Sequence, residues 1–325
     1  MDVTIRDGYV DAPLPEGTDP ATEIARLKKE KNAVVLAHYY TRPEVQDIAD
    51  FVGDSLALSQ EAARTDADII VFAGVHFMGE TAKILCPEKK VLVPDLNAGC
   101  SLADSCPAED YARFIAAHPG HTVVSYVNTS AAVKALTDIV CTSGNAVDIV
   151  RSLPPDEKIL FGPDRNLGEY IRKVTGRENM VIWDGACHVH EEFSAERILQ
   201  LKREHPNAKV LAHPECRKVV LLTADYVGST AALLKFARED AATEFIVATE
   251  SGILHRMTQE NPEKTFIPAP PVDSTCGCND CAFMKLVTLR KICLTLKYER
   301  PEITVEESLR ARAERSIRRM LELSR

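Results

Sequence analysis

The sequence lacks any apolar run close to the roughly 20 residues that a membrane-spanning helix needs. Its first twenty residues are acidic and contain prolines, without the basic start and apolar centre of a signal peptide. These two absences predict a cytoplasmic protein that has no membrane partner.

An excess of positive charge is also missing, because the 325 residues carry a formal net charge of −9. Proteins that bind nucleic acids usually neutralise phosphates with many lysines and arginines. We therefore expect no nucleic-acid partner. A small anionic ligand is still compatible with the sequence, since a few backbone amides and hydroxyls can bind it locally.

Cysteine, in contrast, is plentiful, with ten residues in the chain. Disulfides are rare in a reducing compartment, so metal ligation or catalysis explains this number better. A structural zinc usually takes four ligands with local C-x-x-C pairs, and here Cys278 and Cys281 form such a pair without a second one. Cys86, Cys141 and Cys293 are predicted to be buried and inert.

Short β-rich runs alternate with amphipathic stretches, a pattern that predicts βαβ units with parallel sheets. The length of the chain favours two or three domains. The predicted strands are Ala33–His38, Ile69–Ala73, Val91–Pro94, Thr122–Val127, Lys158–Phe161, Val181–Trp183, Lys209–Ala212 and Glu244–Ala248.

An internal repeat organises these units. The segment Ala49–Ser55 recurs as Ala224–Thr230, and Thr137–Ser143 is a weaker copy. Other features keep nearly the same spacing, since Cys100 and Cys187 lie one repeat apart and a further repeat ends just before Cys276, Cys278 and Cys281. The aspartates of the repeated motif are Asp50, Asp138 and Asp225. The common period predicts a triplicated unit.

The predicted fold class is α/β, with three homologous three-layer αβα domains that contain parallel sheets around a pseudo-threefold axis. We expect the tail from Leu286 to Arg325 to be helical, with a break at Pro301, and to pack on the first domain. The carboxyl ends of the strands would then meet at a common centre. The predicted domains are 20–106 plus 282–325, 107–193, and 194–281.

Three thiolates from three separate loops form an incomplete tetrahedral set. A 4Fe-4S cluster held by three cysteines fits this set, because one iron then stays open to substrate and acts as a Lewis acid. Cys100 and Cys187 are the predicted ligands that keep the repeat. A cluster-dependent hydro-lyase and a non-catalytic cluster or zinc protein are the competing hypotheses.

Strand ends supply candidate acid–base groups. His213 and Glu215 lie two residues apart, on one face of a predicted strand end, and can act as an acid–base pair. An ordinary exposed loop is the alternative interpretation of these two residues alone. Residues in the same phase of the repeat strengthen the catalytic hypothesis, namely His38, Tyr40, Tyr126 and Asn128.

Ser55, Ser143 and Thr230 share one position of the repeat, each before or at the start of a predicted helix. Helix N-termini favour carboxylate or phosphate groups, so these residues are candidates for anion binding. We also expect at least one of them to cap its helix with its side chain. The sequence does not decide whether His190 faces Cys187, because this depends on whether the intervening backbone is extended or turned.

From Asn32 to Met320 the sequence resembles the quinolinate synthases of de novo NAD biosynthesis. The order of the matching stretches makes the resemblance specific. These stretches are Leu36–Tyr40, Gly53–Leu56, Phe72–Lys83, Pro94–Asp104, Ser125–Asn128, Cys141–Asn145, Gly185–His190, His213–Glu215 and Cys281–Lys285.

The resemblance implies condensation of iminoaspartate with dihydroxyacetone phosphate to quinolinate, phosphate and water, with possible functional coupling to an L-aspartate oxidase. It also implies a 4Fe-4S cluster with one open iron, held by Cys100, Cys187 and Cys281, and Tyr40, His213 and Glu215 as catalytic residues. The implied substrate-binding residues are His38, Ser55, Tyr126, Asn128, Ser143, His190 and Thr230.

The third ligand follows from the methionine three residues after Cys281, which matches the C-x-x-M pattern of the family. Cys276 and Cys278 precede it with a spacing that differs from other members. These two cysteines form either a redox-sensitive pair or a thiol-bearing loop.

Overall fold

The computed structural model describes residues 5–273 and 279–324 and shows an α/β protein with three four-stranded parallel sheets. A short antiparallel pair of strands precedes them. The strands are β1 (Ile5–Arg6), β2 (Tyr9–Val10), β3 (Ala33–His38), β4 (Phe51–Gly53), β5 (Ile69–Ala73), β6 (Lys90–Leu92), β7 (Thr122–Tyr126), β8 (Ile139–Cys141), β9 (Ile159–Gly162), β10 (Met180–Ile182), β11 (Lys209–Ala212), β12 (Tyr226–Val227), β13 (Glu244–Ala248) and β14 (Thr265–Pro268).

Helices connect the parallel strands. Among the described residues, no helix is both long and apolar enough to cross a membrane. The helices are α1 (Pro20–Glu30), α2 (Pro43–Ile48), α3 (Ser55–Arg64), α4 (His76–Leu85), α5 (Ser101–Asp104), α6 (Ala108–Ala117), α7 (Ala131–Lys134), α8 (Ala146–Ser152), α9 (Arg165–Thr175), α10 (His188–Glu191), α11 (Ala195–Glu204), α12 (Lys218–Leu221), α13 (Thr230–Glu239), α14 (Ile253–Glu260), a 3-10 turn (Met284–Leu286), α15 (Leu289–Tyr298) and α16 (Glu307–Leu323).

The three sheets share one strand order. In each, the first strand of the sheet lies between the second and the third, and the fourth lies outside the third. The orders are β4-β3-β5-β6, β8-β7-β9-β10 and β12-β11-β13-β14. Four predicted strands, β3, β5, β11 and β13, have the observed bounds, and the other four shift by one or two residues.

The repeated aspartates have a common structural role. Each lies just before a short strand, and its carboxylate accepts the backbone N–H of a valine in the neighbouring central strand at 2.8 Å, while its own N–H donates to the carbonyl of the same valine. This double contact fixes the register at the start of each strand pair. The pairs are Asp50 with Val35, Asp138 with Val123, and Asp225 with Val210.

The third sheet shows how side chains build the layers. Alternate residues of β11 and β13 point to opposite faces, and both faces are buried, as expected for a parallel sheet between helices. One face contributes Val210, Ala212, Ile246 and Ala248 to a buried apolar cluster. The other face contributes Leu211, Phe245 and Val247 to a second cluster.

The C-terminal tail consists of two helices separated by a segment that contains Pro301. The first, α15, packs on α1, as the sequence predicts. The second, α16, lies against α4, α7 and β8, and the Ser316 hydroxyl donates to the carbonyl of Lys134 at 2.9 Å. The tail therefore connects the first sheet with the second.

Candidate active site and metal centre

A cavity with about 700 Å³ of free space, counted to its opening, lies where segments that follow strands of all three sheets meet. All residues that the sequence predicts for the site contribute to its walls. These residues are His38, Tyr40, Ser55, Cys100, Tyr126, Asn128, Ser143, Cys187, His190, His213, Glu215, Thr230 and Cys281.

The three cavity cysteines have the same local backbone. Each directly precedes a helical turn, and its carbonyl accepts the N–H of the residue four positions later. Backbone N–H groups of these turns also bond to the thiol sulfurs. A helix N-terminus favours negative charge, so each turn stabilises a thiolate. The carbonyl distances are 2.9 Å for Cys100, 3.0 Å for Cys187 and 3.2 Å for Cys281.

Side chains next to the cysteines connect the three loops. The Ser101 hydroxyl lies 2.7 Å from Nδ1 of His188, which joins the Cys100 turn to the Cys187 turn. The ring of His188 meets the ring of Phe283 edge to face at 6.2 Å, which joins it to the Cys281 turn. The three thiols are therefore held by a continuous set of contacts.

The chemistry of this donor set fits a metal cofactor. Burial raises the pKa of Cys100 to about 12 and also raises the pKa values of Cys187 and Cys281. Three thiolates in such partly buried positions are costly without a compensating positive charge, which a metal supplies. Thiolate ligands select zinc, copper(I) or iron–sulfur clusters.

Cys187, His190 and Glu215 form a second group of possible metal donors, since their ligand atoms lie within 4.8 Å of one another. Residues 188–191 form a helical turn, which brings His190 back to Cys187 and answers the question that the sequence left open. Nδ1 of His190 lies 3.2 Å from the Cys187 sulfur and 3.2 Å from Oε2 of Glu215. These hydrogen bonds also account for the proximity of the three side chains.

Glu215 is a buried carboxylate that keeps its charge. Burial opposes ionisation, but the contact with His190 and the hydrogen bond from the Tyr126 hydroxyl outweigh it and lower the pKa of Glu215 to about 2. The Tyr126 hydroxyl donates to Oε1 at 2.5 Å. Burial and this carboxylate raise the pKa of Tyr126 well above its usual value, so the phenol keeps its proton.

His38 and His213 are neutral and share one geometry. In each, Nδ1 accepts the backbone N–H of the residue two positions later, at 3.2 Å from Tyr40 and 3.4 Å from Glu215. Burial lowers the pKa of both imidazoles to about 3. The proton of each neutral ring is therefore on Nε2, and in His213 this N–H donates to the Ser143 hydroxyl at 3.1 Å.

Asn128 presents an acceptor that has no partner. Its Oδ1 atom is buried, and no hydrogen bond reaches it from the residues that the structure describes. Buried polar atoms are nearly always hydrogen-bonded, so an unpaired one that belongs to a cavity wall is suited to bind a ligand.

The expectation that Ser55, Ser143 or Thr230 caps a helix is wrong. The capping side chains are one residue earlier, at Asp54 for α3 and Ser229 for α13, and the N-cap of α8 makes no side-chain bond. Ser55 and Thr230 are instead the first residues of their helices. Their hydroxyls are consequently free of a capping role and belong to the cavity wall.

The other cysteines divide into three groups. Cys86, Cys141 and Cys293 are buried in the main apolar core, as predicted, and do not line the cavity. Cys106 and Cys216 are buried in two smaller apolar clusters, also away from the cavity wall. Cys276 and Cys278 lie outside the described residues.

Comparison with known proteins identifies the family. The model of the family NadA, quinolinate synthetase A protein, matches residues 22–322. The chain belongs to this family. It is 58% identical to the quinolinate synthase of Thermosynechococcus vestitus, over 96% of this chain and 97% of that protein. It is 59% identical to the quinolinate synthase of Trichormus variabilis, over 93% and 92% of the two chains.

A solved structure of E-1-hydroxy-2-methyl-but-2-enyl-4-diphosphate reductase from Plasmodium falciparum aligns with a TM-score of 0.33 and 11% identity, over 86% of this chain and 93% of that chain. A likeness of this size supports no conclusion about fold or function.

Several residues near the site of this family member are missing from the sequence predictions. Glu250 accepts the backbone N–H of Cys281 at 3.0 Å and pairs with Lys285 at 2.8 Å, and Lys285 also donates to the Tyr40 carbonyl. Thr249 hydrogen-bonds the Tyr40 hydroxyl at 2.6 Å. Two of these residues directly follow β13, a strand that the sequence predicts, so the position of its carboxyl end is the signal that could have found them.

Asp164 is a further unpredicted residue, and it supports the Cys187 loop. Its Oδ1 caps α9 by accepting the N–H of Leu167 at 2.7 Å, and its Oδ2 accepts the N–H of Cys187 at 3.3 Å. Asp164 follows β9, so it too lies at the carboxyl end of a strand. One buried carboxylate thus fixes both the helix start and the cysteine.

Proposed function

We propose that this chain condenses iminoaspartate with dihydroxyacetone phosphate to give quinolinate, phosphate and water. Relatives with 58% and 59% identity over nearly the whole chain are named quinolinate synthase. The observation that carries the proposal is the single cavity in which Tyr40, His213 and Glu215 lie beside three thiols. Acid–base groups and a metal site at one place suit a condensation that ends in dehydration.

A 4Fe-4S cluster held by Cys100, Cys187 and Cys281 is the cofactor that we assign to this cavity. When bound, such a cluster offers one iron without a protein ligand as a Lewis acid for oxygen and nitrogen groups. The matching helical turns after the three cysteines support this ligand set, since each directs backbone N–H groups at a sulfur. They also support Cys281 as the third ligand.

We assign the fold to three homologous αβα domains around a pseudo-threefold axis. The identical strand order of the three sheets and the shared contacts of the repeated aspartates support this arrangement. The α15–α16 tail would belong to the first domain. The proposed domains are 20–106 plus 282–325, 107–193, and 194–281.

Neutral hydrogen-bond donors are the proposed anion-binding groups of the cavity, since the chain as a whole is acidic. The helices α3 and α13 begin at Ser55 and Thr230, so their free N–H groups and the two hydroxyls can hold carboxylate or phosphate oxygens. The Nε2–H group of His38 adds a neutral donor. Tyr126, Asn128, Ser143 and His190 complete the proposed substrate-binding set.

Tyr40, His213 and Glu215 are the proposed proton-transfer residues of the reaction. In the first step, the enamine carbon of iminoaspartate bonds to the phosphate-bearing carbon, and phosphate leaves with the electron pair of the broken C–O bond. The neutral His213 can donate a hydrogen bond from Nε2 to a departing oxygen. Glu215 carries the negative charge toward which protons move during isomerisation and dehydration, directly or through the Tyr126 hydroxyl.

The decisive experiment is an anaerobic assay. The protein is purified without oxygen, its iron and sulfide are measured, and iminoaspartate and dihydroxyacetone phosphate are supplied together. We expect about four irons and four sulfides per chain, with quinolinate and phosphate formed in equal amounts. Absence of quinolinate from cluster-loaded protein would contradict the assignment.

A mononuclear metal protein is the second candidate, favoured by the grouping of Cys187, His190 and Glu215. Zinc accepts sulfur, nitrogen and oxygen donors of this kind. A colourless protein with one zinc and no sulfide would support this candidate. A hydro-lyase with the same cluster would instead dehydrate a simple hydroxy acid and release no phosphate.

We also propose a cytoplasmic reaction that is coupled to an L-aspartate oxidase. Oxidation of aspartate produces the imine that this chain consumes, and an imine hydrolyses readily in water. Supplying the imine from such an oxidase in the same vessel should therefore raise the yield of quinolinate above that from imine added in advance.

A further inference from the structure

Thr249 lies behind the cavity wall, between two residues that form it. Thr249 is 3% exposed and does not belong to the cavity wall. Its Oγ1 atom is 2.6 Å from the Tyr40 hydroxyl and 3.0 Å from Nε2 of His190. Thr249 therefore has no access to a substrate and can act only through its two partners.

Thr249 connects Tyr40 with His190 and, through His190, with Glu215. Nε2 of His190 is the ring atom that meets the Thr249 hydroxyl, and Nδ1 of the same ring lies 3.2 Å from Oε2 of Glu215. A threonine hydroxyl can donate one hydrogen bond and accept another at the same time, so it can bond to both Tyr40 and His190.

We propose that Thr249 is a positioning residue that fixes the orientation of the Tyr40 hydroxyl in the cavity wall. The inference rests on the proposed function and extends it. The partner of Tyr40 would be a polar group of the substrate, such as the imine nitrogen or a hydroxyl that has to be oriented. Thr230, at 3.1 Å, contributes a second contact to the same oxygen.

The test compares Thr249→Val, which has nearly the same shape but no hydroxyl, with Thr249→Ser, which keeps the hydroxyl. We expect the valine variant to lower kcat roughly 10- to 100-fold, as for a misplaced catalytic group, with KM for dihydroxyacetone phosphate changed less than about 3-fold. The serine variant should recover most of the wild-type kcat. Both should keep wild-type iron and sulfide contents.

Thr295→Val is the matched control. Thr295 is also fully buried, but it lies in α15, and its hydroxyl has no hydrogen-bond partner among the described residues. This variant should keep the wild-type kcat. A loss of kcat in Thr249→Val would then not be a general effect of replacing a buried threonine by valine.

The possible results separate this inference from the function. A cluster-loaded wild type that forms no quinolinate overturns both. An active wild type with an unchanged kcat in Thr249→Val overturns the inference alone. The same holds if Thr249→Ser loses as much activity as Thr249→Val, or if the valine variant loses activity in proportion to lost cluster.

Discussion

At the scale of single residues, the negative charge of the cavity and its neutral hydrogen-bond donors lie on different side chains. His38 and His213 are neutral donors, since burial lowers their pKa values to about 3, whereas Glu215 stays ionised. The alternation of His213 and Glu215 along the sequence suggested an acid–base pair tuned near neutrality. The structure instead assigns the charge to Glu215 and the neutral N–H group to His213.

Replacement of Glu215 by glutamine tests the role of this charge. An amide offers one acceptor oxygen in place of two, and its NH₂ group faces either the Tyr126 hydroxyl or His190. We expect kcat to fall about 10²- to 10⁴-fold, the usual size of an acid–base contribution, while the cluster is retained. Steady-state kinetics with iron and sulfide analysis measures both effects.

Glu192→Gln provides a control, because Glu192 is an exposed carboxylate close in sequence to the same site. It should retain wild-type activity. Full activity of the Glu215→Gln variant would reduce Glu215 to a structural residue.

The buried histidines predict how stability depends on pH. Below their ordinary pKa of about 6.5, the unfolded chain binds protons that the folded chain excludes, so stability falls as pH falls. The slope is about 1.4 kcal/mol per pH unit for each histidine until the pH nears its folded pKa. Urea unfolding of the anaerobically purified protein between pH 5 and 7.5 measures this slope.

His38→Asn and His213→Asn should each make the slope shallower, because asparagine does not titrate. A wild-type slope that persists unchanged in both variants would show that other groups carry the pH dependence. The comparison uses each variant at both ends of the pH range, so a uniform loss of stability does not affect it.

Residues of the cavity were predictable where they keep the repeat and end the first strand of a sheet. His38, Tyr126 and His213 belong to this class. Thr249, Glu250 and Asp164 follow the third strand of a sheet. Asp164 and Glu250 occupy the same position after their strands, but the first sheet has Val75 there, so the repeat does not mark this position in all three units. The contacts of these residues with backbone N–H groups, hydroxyls and other side chains are not reported by any sequence spacing.

At the scale of elements, the longest strands were predictable because continuous apolar runs mark strands that are buried on both faces. Strands β4, β8 and β12 contain only two or three residues each and were missed. These short strands lie inside the repeated motif, and the structure explains why the motif recurs. Its aspartate bonds to the neighbouring central strand, and its later residues begin the following helix or turn.

Asp138→Ala tests this explanation in the weakest copy of the motif. The change leaves the Val123 N–H without the carboxylate acceptor at 2.8 Å, which should cost about 1–3 kcal/mol of unfolding free energy. Urea unfolding measures the loss. Asp138→Asn keeps an acceptor oxygen and should lose clearly less, whereas equal losses would mean that this hydrogen bond is not the cause.

At the scale of the whole molecule, the three sheets matter because they bring residues from distant parts of the chain to one cavity. The Cys100, Cys187 and Cys281 turns follow the last strand of each sheet and contact one another through Ser101, His188 and Phe283. Each sheet is followed by only one of the three proposed ligands. Cofactor binding should therefore stabilise the assembly of all three.

The cysteine series tests this dependence and the identity of the third ligand. Cys100→Ala, Cys187→Ala and Cys281→Ala should each lose the cluster, quinolinate formation and the stabilisation that cofactor binding gives. Cys293→Ala should keep all three, since this thiol is buried in the core away from the cavity.

The deciding comparison is between Cys281→Ala and Cys278→Ala, measured by iron, sulfide and thermal unfolding under anaerobic conditions. We expect the cluster to be lost in the first variant and kept in the second, because the turn after Cys281 directs backbone N–H groups at its sulfur as the other two turns do. The opposite pattern would move the third ligand to Cys278. Loss in both variants would mean that the cluster depends on the whole segment before Cys281, and that the helical turn alone does not define the ligand.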